Sequence, residues 1–129
     1  MCARAAYPVF CGAATKGVGV DEIINGIIKF APSPQDVTPL HATTPDGVNP
    51  VEYKILPSGP FAAQVFKTVI DPYVGQLTIF RVFSGTLQSN TGFYNVNKSV
   101  KERIGQIYLL KGKEQKDIDK VQAGNIAAV

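Results

Sequence analysis

Cysteine and histidine are scarce in this 129-residue sequence, which contains two cysteines, Cys2 and Cys11, and one histidine, His41. Two cysteines are too few for the disulfide framework of a small secreted domain. One histidine and two separated cysteines also lack the ligand spacing of a zinc site. We therefore predict neither a disulfide-stabilised fold nor a metal site in this chain.

Long apolar runs are missing as well. No segment approaches the ~20 apolar residues that a membrane helix needs. The N-terminal sequence MCARAAY has no apolar core of the kind found in signal peptides. The expectation is a cytoplasmic protein without a membrane partner.

A third absence concerns phosphate binding. Gly12 and Gly17 have the spacing of the motif G-x-x-x-x-G-K-[ST], but Val18 follows where that motif has lysine. Without this loop a chain lacks the backbone cradle and the lysine that hold nucleotide phosphates. We predict no catalytic residue in this chain and no phosphoryl transfer by the chain alone.

The first segment, residues 1–34, predicts one strand and one helix. The apolar run at residues 8–11 is typical of a buried strand in a parallel sheet. After a glycine-rich loop, Asp21 is a candidate helix N-cap, and apolar residues recur at helical spacing until Pro32. A lone strand and helix cannot bury their own apolar faces, so this segment is expected to be a remnant of a larger domain.

Prolines recur through the next segment, residues 35–60, and predict an extended linker. Residues 45–47, Pro-Asp-Gly, predict a turn within it. From Phe61 the pattern changes to short apolar runs separated by turn residues at 71–75 and 88–92. This pattern predicts a mainly β fold, a small antiparallel barrel or sandwich, over residues 61–129.

Two further features bear on partners. Apolar residues at Ile79, Phe80, Val82 and Phe83 occupy both faces of one strand, so part of the outer surface is expected to pack on another domain. Residues 1–57 carry a net charge of −1 and residues 58–129 a net charge of +4. The second segment is the better candidate for contact with a polyanion. On charge alone, however, a solvated surface with a small lysine excess is the preferred interpretation.

Three stretches resemble elongation factor G. PVFCGAATKGVGVDEIINGIIKFAPSP is similar to the end of its GTPase domain, and DPYVGQLTIFRVFSGTL and KERIGQIYLL are similar to the barrel that follows. The stretch YNVNKSVKERIGQIYLLKGKEQKDID looks more like the elongation factor G-like paralogues. Residues 123–126, Ala-Gly-Asn-Ile, resemble the family's Ala-Gly-Asp-Ile turn. The resemblance implies a fragment: the last strand and helix of a P-loop GTPase domain (1–34), a linker (35–60) and a barrel of the translation-factor domain II type (61–129), truncated at its C-terminus.

The resemblance also implies a nucleotide contact in the parent protein. Gly12, Ala13 and Ala14 fall where the family has a Gly-Ser-Ala motif whose backbone N–H groups recognise the guanine O6. Ala13 replaces the serine of the motif, so only main-chain recognition is retained. The alternative is an ordinary glycine-rich turn between strand and helix. GTP and Mg²⁺ are expected in the parent, and no cofactor is expected in this chain, which should be inactive alone.

The remaining implications concern the ribosome and translocation. Family barrels contact small-subunit ribosomal RNA and a neighbouring ribosomal protein, and they pack on the rest of the GTPase domain and on downstream domains. Tyr94 and Tyr108 could stack on bases or fill the barrel's core or rim. Two alternative functions are a ribosomal protection protein of the tetracycline-resistance type and a free-standing RNA-binding or scaffolding module. The candidate phosphate contacts are Lys98, Lys101, Arg103, Lys111, Lys113 and, with weaker support, Lys116.

Overall fold

The computed structural model describes the chain except for residues 1–5, 37–39, 45–46, 72–74 and 113. By its internal contacts the chain divides into two compact units, Met1–Val37 and Thr38–Val129. Each unit is described by itself below. The domain boundaries given above, 34/35 and 60/61, stay predictions.

The first unit is built on one helix, α1, which spans Val20–Phe30. Its N-cap is Gly19, at φ 78°, and the prediction of Asp21 as N-cap is wrong. Asp21 lies in the first turn, where its charge favours the positive end of the helix dipole. Gly26 is buried because the ring of Phe10 lies against it, in the space that a Cβ would fill. This packing explains why a glycine stands in mid-helix, although glycine there costs about 1 kcal/mol relative to alanine.

The predicted strand at residues 8–11 does not form. None of the described residues pairs with this segment, and the Val9 side chain is 86% exposed. A strand is stable only when its N–H and C=O groups meet those of a neighbouring strand. The apolar composition of residues 8–11 predicted a buried strand, but the described part of the chain supplies no neighbouring strand for it.

The second unit begins with a hairpin that the sequence did not predict. Strand β1 spans Leu40–Thr43, β2 spans Pro50–Tyr53, and the two pair antiparallel. The Thr44 N–H donates to the Asn49 carbonyl at 2.9 Å and closes the hairpin. The proline density suggested an extended linker, but Pro50 stands at the first position of its strand, where proline is tolerated. Of the predicted turn at 45–47, the first two residues lie outside the described part of the chain.

Nine more strands follow. In chain order they are β3 (Ala62–Asp71), β4 (Gly75–Ser84), β5 (Thr86–Gln88), β6 (Gly92–Asn95), β7 (Val100–Arg103), β8 (Ile107–Lys111), β9 (Glu114–Ile118), β10 (Lys120–Gln122) and β11 (Ile126–Ala128). Five of them form one antiparallel sheet in the order β3-β4-β11-β8-β9, and two separate pairs are β5–β10 and β6–β7. The prediction of a mainly β fold is confirmed. Within the described residues the sheets do not close into one continuous barrel.

Turn residues separate these strands largely as the sequence predicted. A two-residue turn at 89–90 follows β5, and the 123–126 turn places Gly124 at φ 91°. The Gly124 N–H donates to the Val82 carbonyl at 2.8 Å, which ties this turn to β4. The predicted turn at 71–75 has its centre, residues 72–74, outside the described part of the chain.

The core of the second unit lies between the five-stranded sheet and the two strand pairs. Along β4, Phe80 and Val82 point inward and are buried, whereas Ile79 and Phe83 on the outer face are half-buried. Apolar groups thus occupy both faces of this strand, as predicted. The buried core comprises Phe80, Val82, Leu87, Ile104, Ile107, Val121 and Ala127. None of the helices in the described ranges is long and apolar enough to cross a membrane.

Candidate nucleic-acid interface and glycine loop

The hairpin β6–β7 brings three of the residues of interest to one surface. Tyr94 pairs with Lys101 across the two strands, and Arg103 is paired with Gly92. Because side chains alternate along a strand, Lys101 and Arg103 lie on the same face, and the directly opposite Tyr94 shares it. All three side chains are exposed. We name Tyr94, Lys101 and Arg103 the hairpin face.

The opposite side of the hairpin anchors it. Phe93 points the other way from Tyr94 and packs against the core. Ile104, which directly follows β7, is buried in that core, and its N–H donates to the Thr91 carbonyl at 2.9 Å. Both strands are thus held by apolar burial at one end, and this fixes the position of the hairpin face.

The turn that joins β6 to β7 is shaped by its own side chains. The Lys98 N–H donates to the Asn95 side-chain oxygen at 3.2 Å, and Ser99 adopts φ 56°. Asparagine commonly hydrogen-bonds backbone N–H groups in this way and so initiates turns. The turn carries the Lys98 side chain back over Glu102.

Lys98 is engaged in an ion pair. Its Nζ lies 3.0 Å from Oε1 of Glu102, whose Oε2 accepts a hydrogen bond from the Asn95 amide at 3.2 Å. The Lys98 hydrogen bond, followed by that of Asn95, lowers the pKa of Glu102 below its ordinary value. Part of the Lys98 charge is therefore already neutralised within the hairpin, which makes it a weaker phosphate contact than Lys101 or Arg103.

Replacing Lys98 with glutamine is expected to raise the pKa of Glu102 toward its ordinary value. A lowered carboxyl pKa stabilises the fold above the unfolded-state pKa, and this contribution is lost as the pH falls through the folded-state pKa. In the variant this contribution should be smaller, and its loss should be complete at a higher pH. A carboxyl ¹³C NMR titration measures the shift. Asp36, whose pKa is lowered by Ser33 instead, is the internal control and should not move; an unchanged Glu102 pKa contradicts the pairing.

The other predicted phosphate contacts lie elsewhere. Lys111 ends β8 directly opposite Glu114, and Lys116 lies on β9 opposite Leu109. Lys113 lies outside the described residues. Tyr108 is half-buried and pairs with Asp117 and Ala128 within the five-stranded sheet. The structure therefore groups Lys101 and Arg103 with Tyr94 and leaves Lys111 on β8, in the five-stranded sheet.

Arg103 is held in place on the hairpin. Its Nε donates to the Asn90 carbonyl at 3.2 Å, and Asn90 stands in the left-handed region at φ 62°. This bond uses one of the five N–H donors of the guanidinium group. An arginine fixed at its base presents its remaining donors with less loss of side-chain entropy when it binds an anion.

The glycine loop of the first unit is a closed backbone turn. Ala13 and Val18 exchange hydrogen bonds, with the Ala13 N–H donating to the Val18 carbonyl at 2.9 Å and the Val18 N–H donating back at 3.2 Å. Ala14–Lys16 forms a single turn of 3₁₀ helix between them. The Ala13 N–H is thus engaged within the loop. The first N–H groups of a helical turn have no partner inside it, which makes Ala14 the better donor of the predicted set.

The small residues of this loop have a packing role of their own. A Cβ on Gly12 would lie 2.7 Å from the Val18 carbonyl oxygen, and a Cβ on Gly19 would lie 2.5 Å from the Cys11 carbonyl oxygen. The two ends of the loop therefore approach backbone to backbone. The absence of side chains there is required by the fold, whether or not a base also approaches.

Comparison with known proteins agrees with the β architecture. A family model described as elongation factor G domain 2 matches residues 60–129. Proteins named elongation factor G from Ureaplasma urealyticum serovar 10 and Ureaplasma parvum serovar 3 are 45% and 44% identical to this chain over 123 residues, which is 95% of the chain. The chain is a member of the elongation factor G family. It spans 18% of the length of these relatives.

Proposed function

We propose that this chain acts within a translational GTPase of the elongation factor G type, in which it contributes a ribosome-contacting β domain and a guanine-contacting loop for translocation. The observation that supports this most is the family match over residues 60–129, the part of the chain that carries the hairpin face. The names of the relatives favour this function over a ribosomal protection protein or a free-standing RNA-binding module.

The hairpin face has the chemistry of an RNA contact. Lys101 and Arg103 are two residues apart on one strand, roughly 7 Å along the chain, and both are exposed cations. Tyr94, opposite Lys101 and 42% exposed, offers a flat ring beside them. Cations that contact phosphates combined with an aromatic ring on which a base can stack are typical of proteins that bind RNA without reading its sequence. Small-subunit ribosomal RNA is the proposed partner, beside a ribosomal protein.

The glycine loop is proposed to contact the guanine base of GTP through backbone N–H groups, with Gly12, Ala13 and Ala14 as its residues. Gly12 and Ala14 fit this role because they place only backbone and a methyl group at the base. In the described residues no cluster of histidine, cysteine or carboxylate side chains could hold a metal ion. The phosphate and Mg²⁺ contacts are proposed to come from other parts of the parent protein.

Removing both cations of the hairpin face should change how binding depends on salt. Purified small ribosomal subunits are titrated with the chain at several salt concentrations, and the logarithm of the association constant should fall with the logarithm of salt concentration at a slope of about −2 to −4. The variant Lys101→Gln/Arg103→Gln should flatten this slope by about 2, because each lost phosphate contact removes about one unit.

Lys98→Gln is the matched control, because it removes one charge from the same hairpin at a residue already paired with Glu102. Its slope should stay close to that of the unchanged chain. Lys111→Gln tests in the same way whether the end of β8, in the five-stranded sheet, contacts phosphate. If Lys98→Gln or Lys111→Gln flattens the slope while the double variant does not, the contact surface is not the hairpin face.

A further inference from the structure

A shallow groove of about 320 Å³ crosses the outer face of the five-stranded sheet, and it shares no residue with the hairpin face. It is lined by Gln64, Phe66, Arg81, Phe83 and Ile126. Arg81 lies at its centre, because it is paired with Gln64 of β3 on one side and with Ile126 of β11 on the other. We call these five residues the outer groove.

An irregularity in β3 shapes this groove. The pairing of β3 with β4 shifts register between Val65 and Lys67, so that Phe66 is an extra residue without a counterpart. Such bulges redirect a side chain and increase the local twist of the strand. Here the bulge presents Phe66 at the groove, where its side chain is 55% exposed, and Ile126 on the other flank is 48% exposed. Large apolar side chains thus border the groove on both sides.

Arg81 carries an unfulfilled hydrogen-bonding group in this apolar setting. Its guanidinium carbon lies 5.7 Å from the centre of the Phe83 ring. Its Nε is buried and has no hydrogen-bond partner among the described residues. A buried N–H of a charged group without a partner is costly, and a hydrogen bond to the same guanidinium group is stronger in an apolar setting than in water. Arg81 is also the one charged residue of the outer groove.

We propose that the outer groove docks a protein segment that carries a glutamate or aspartate next to an apolar residue. The carboxylate would accept hydrogen bonds from the Arg81 guanidinium, which suits it in charge and in planar geometry. The neighbouring apolar side chain would cover Phe66 and Ile126. A peptide fits better than RNA, because two half-exposed apolar side chains flank a single cation there, whereas RNA contacts depend on several exposed cations.

The probe is a pair of tripeptides, Ac-Phe-Glu-Ile-NH₂ and its neutral analogue Ac-Phe-Gln-Ile-NH₂, titrated into the ¹⁵N-labelled 129-residue chain. The Arg81 Nε–H signal reports on changes around the guanidinium group. We expect the glutamate peptide to shift this signal and the amides of Phe66, Phe83 and Ile126, and to bind about fivefold to tenfold more tightly than the glutamine peptide, which is the usual advantage of a charged over a neutral hydrogen bond.

Two variants separate the charged contact from the apolar one. In Arg81→Gln the preference for the glutamate peptide should vanish, whereas in Phe66→Ala both peptides should weaken by a similar factor and the preference should remain. Unchanged core amide shifts at Ile107 and Val121 establish that each variant is folded.

Several outcomes overturn the proposal. Equal binding of the two peptides, a preference that survives Arg81→Gln, or shifts confined to residues outside the groove would each do so. A single-stranded oligouridylate that displaces the glutamate peptide from these residues would identify RNA as the occupant instead. Concentration-dependent shifts at the same residues without any peptide would identify a second copy of the chain.

Discussion

Replacing Gly85 with alanine is expected to lower the free energy of unfolding of the β unit by about 3 kcal/mol. Gly85 joins β4 to β5 at φ 76°, a conformation that a side chain disfavours. A Cβ there would also lie 2.7 Å from the Gly59 carbonyl oxygen and 2.8 Å from the Phe61 Cα. Both contacts are with backbone atoms, so no side-chain rotation can relieve them.

Gly85 is also hydrogen-bonded to distant residues through both its N–H and its carbonyl group. Its N–H donates to the Leu56 carbonyl at 2.9 Å, and its carbonyl accepts from the Ala123 N–H at 2.9 Å. Moving the Gly85 backbone to accommodate a methyl group would therefore strain two hydrogen bonds that join distant parts of the sequence. This is why the expected loss exceeds that of an ordinary glycine in a turn.

Gly112→Ala is the matched control. Gly112 also has a positive φ, 61°, but apart from its chain neighbours no atom of the described residues lies within 4 Å of the position its Cβ would occupy. Only the conformational cost remains there, about 1 kcal/mol. Urea unfolding followed by far-UV circular dichroism compares the two variants. Equal losses would contradict the proposed backbone clash at Gly85.

The β fold was predictable because its signals are local. Turn residues at 88–92 mark the end of a strand, and the structure has a turn there. The turn at 123–126, which the family resemblance implied, is also present. Residues Ile79–Phe83 were predicted to carry apolar groups on both faces, and their alternation between buried and half-buried positions agrees. Strand pairing, by contrast, depends on contacts between distant residues. The order β3-β4-β11-β8-β9 therefore did not follow from the pattern alone.

Two of the errors share one cause, which is that composition does not identify a strand's partner. Residues 8–11 have the composition of a buried strand but pair with none of the described residues. The segment around 40–53 has the composition of a linker, yet two four-residue strands pair within it. The predicted helix N-cap was wrong for a different reason. Gly19, not Asp21, is the N-cap, because a glycine at positive φ turns the chain into the helix without any side-chain hydrogen bond.

The candidate sites were only partly visible in the sequence. Lys101 and Arg103 were identified as cations, but their shared face with Tyr94 depends on the register of the β6–β7 hairpin. The Lys98–Glu102 pair depends on the turn that Asn95 initiates. Arg81 was not singled out, because its importance comes from a bulge at Phe66 in another strand.

Ile107→Ala should destabilise the β unit about as much as Gly85→Ala, with an expected loss of about 3 to 4 kcal/mol in the free energy of unfolding. Ile107 is fully buried in the core cluster, at 0% exposure, and faces Ile118 across β8 and β9. Removing its outer carbon atoms forfeits their transfer free energy and leaves a cavity that the neighbouring strands can only partly close. Ile107→Val, which removes a single methylene group, should cost about 1 kcal/mol.

Leu109→Ala is the matched control, because Leu109 lies two residues further along the same strand but is far less buried than Ile107. Its side chain is 44% exposed, so truncation leaves no closed cavity and should cost roughly 1 kcal/mol.

The three variants together distinguish a packed core from a sheet held mainly by its backbone hydrogen bonds. In a packed core the loss follows the buried volume removed, so Ile107→Ala should exceed both others by about 2 kcal/mol or more. Comparable losses in Ile107→Ala and Leu109→Ala, measured by the same urea unfolding, would mean that Ile107 does not lie at the centre of the core.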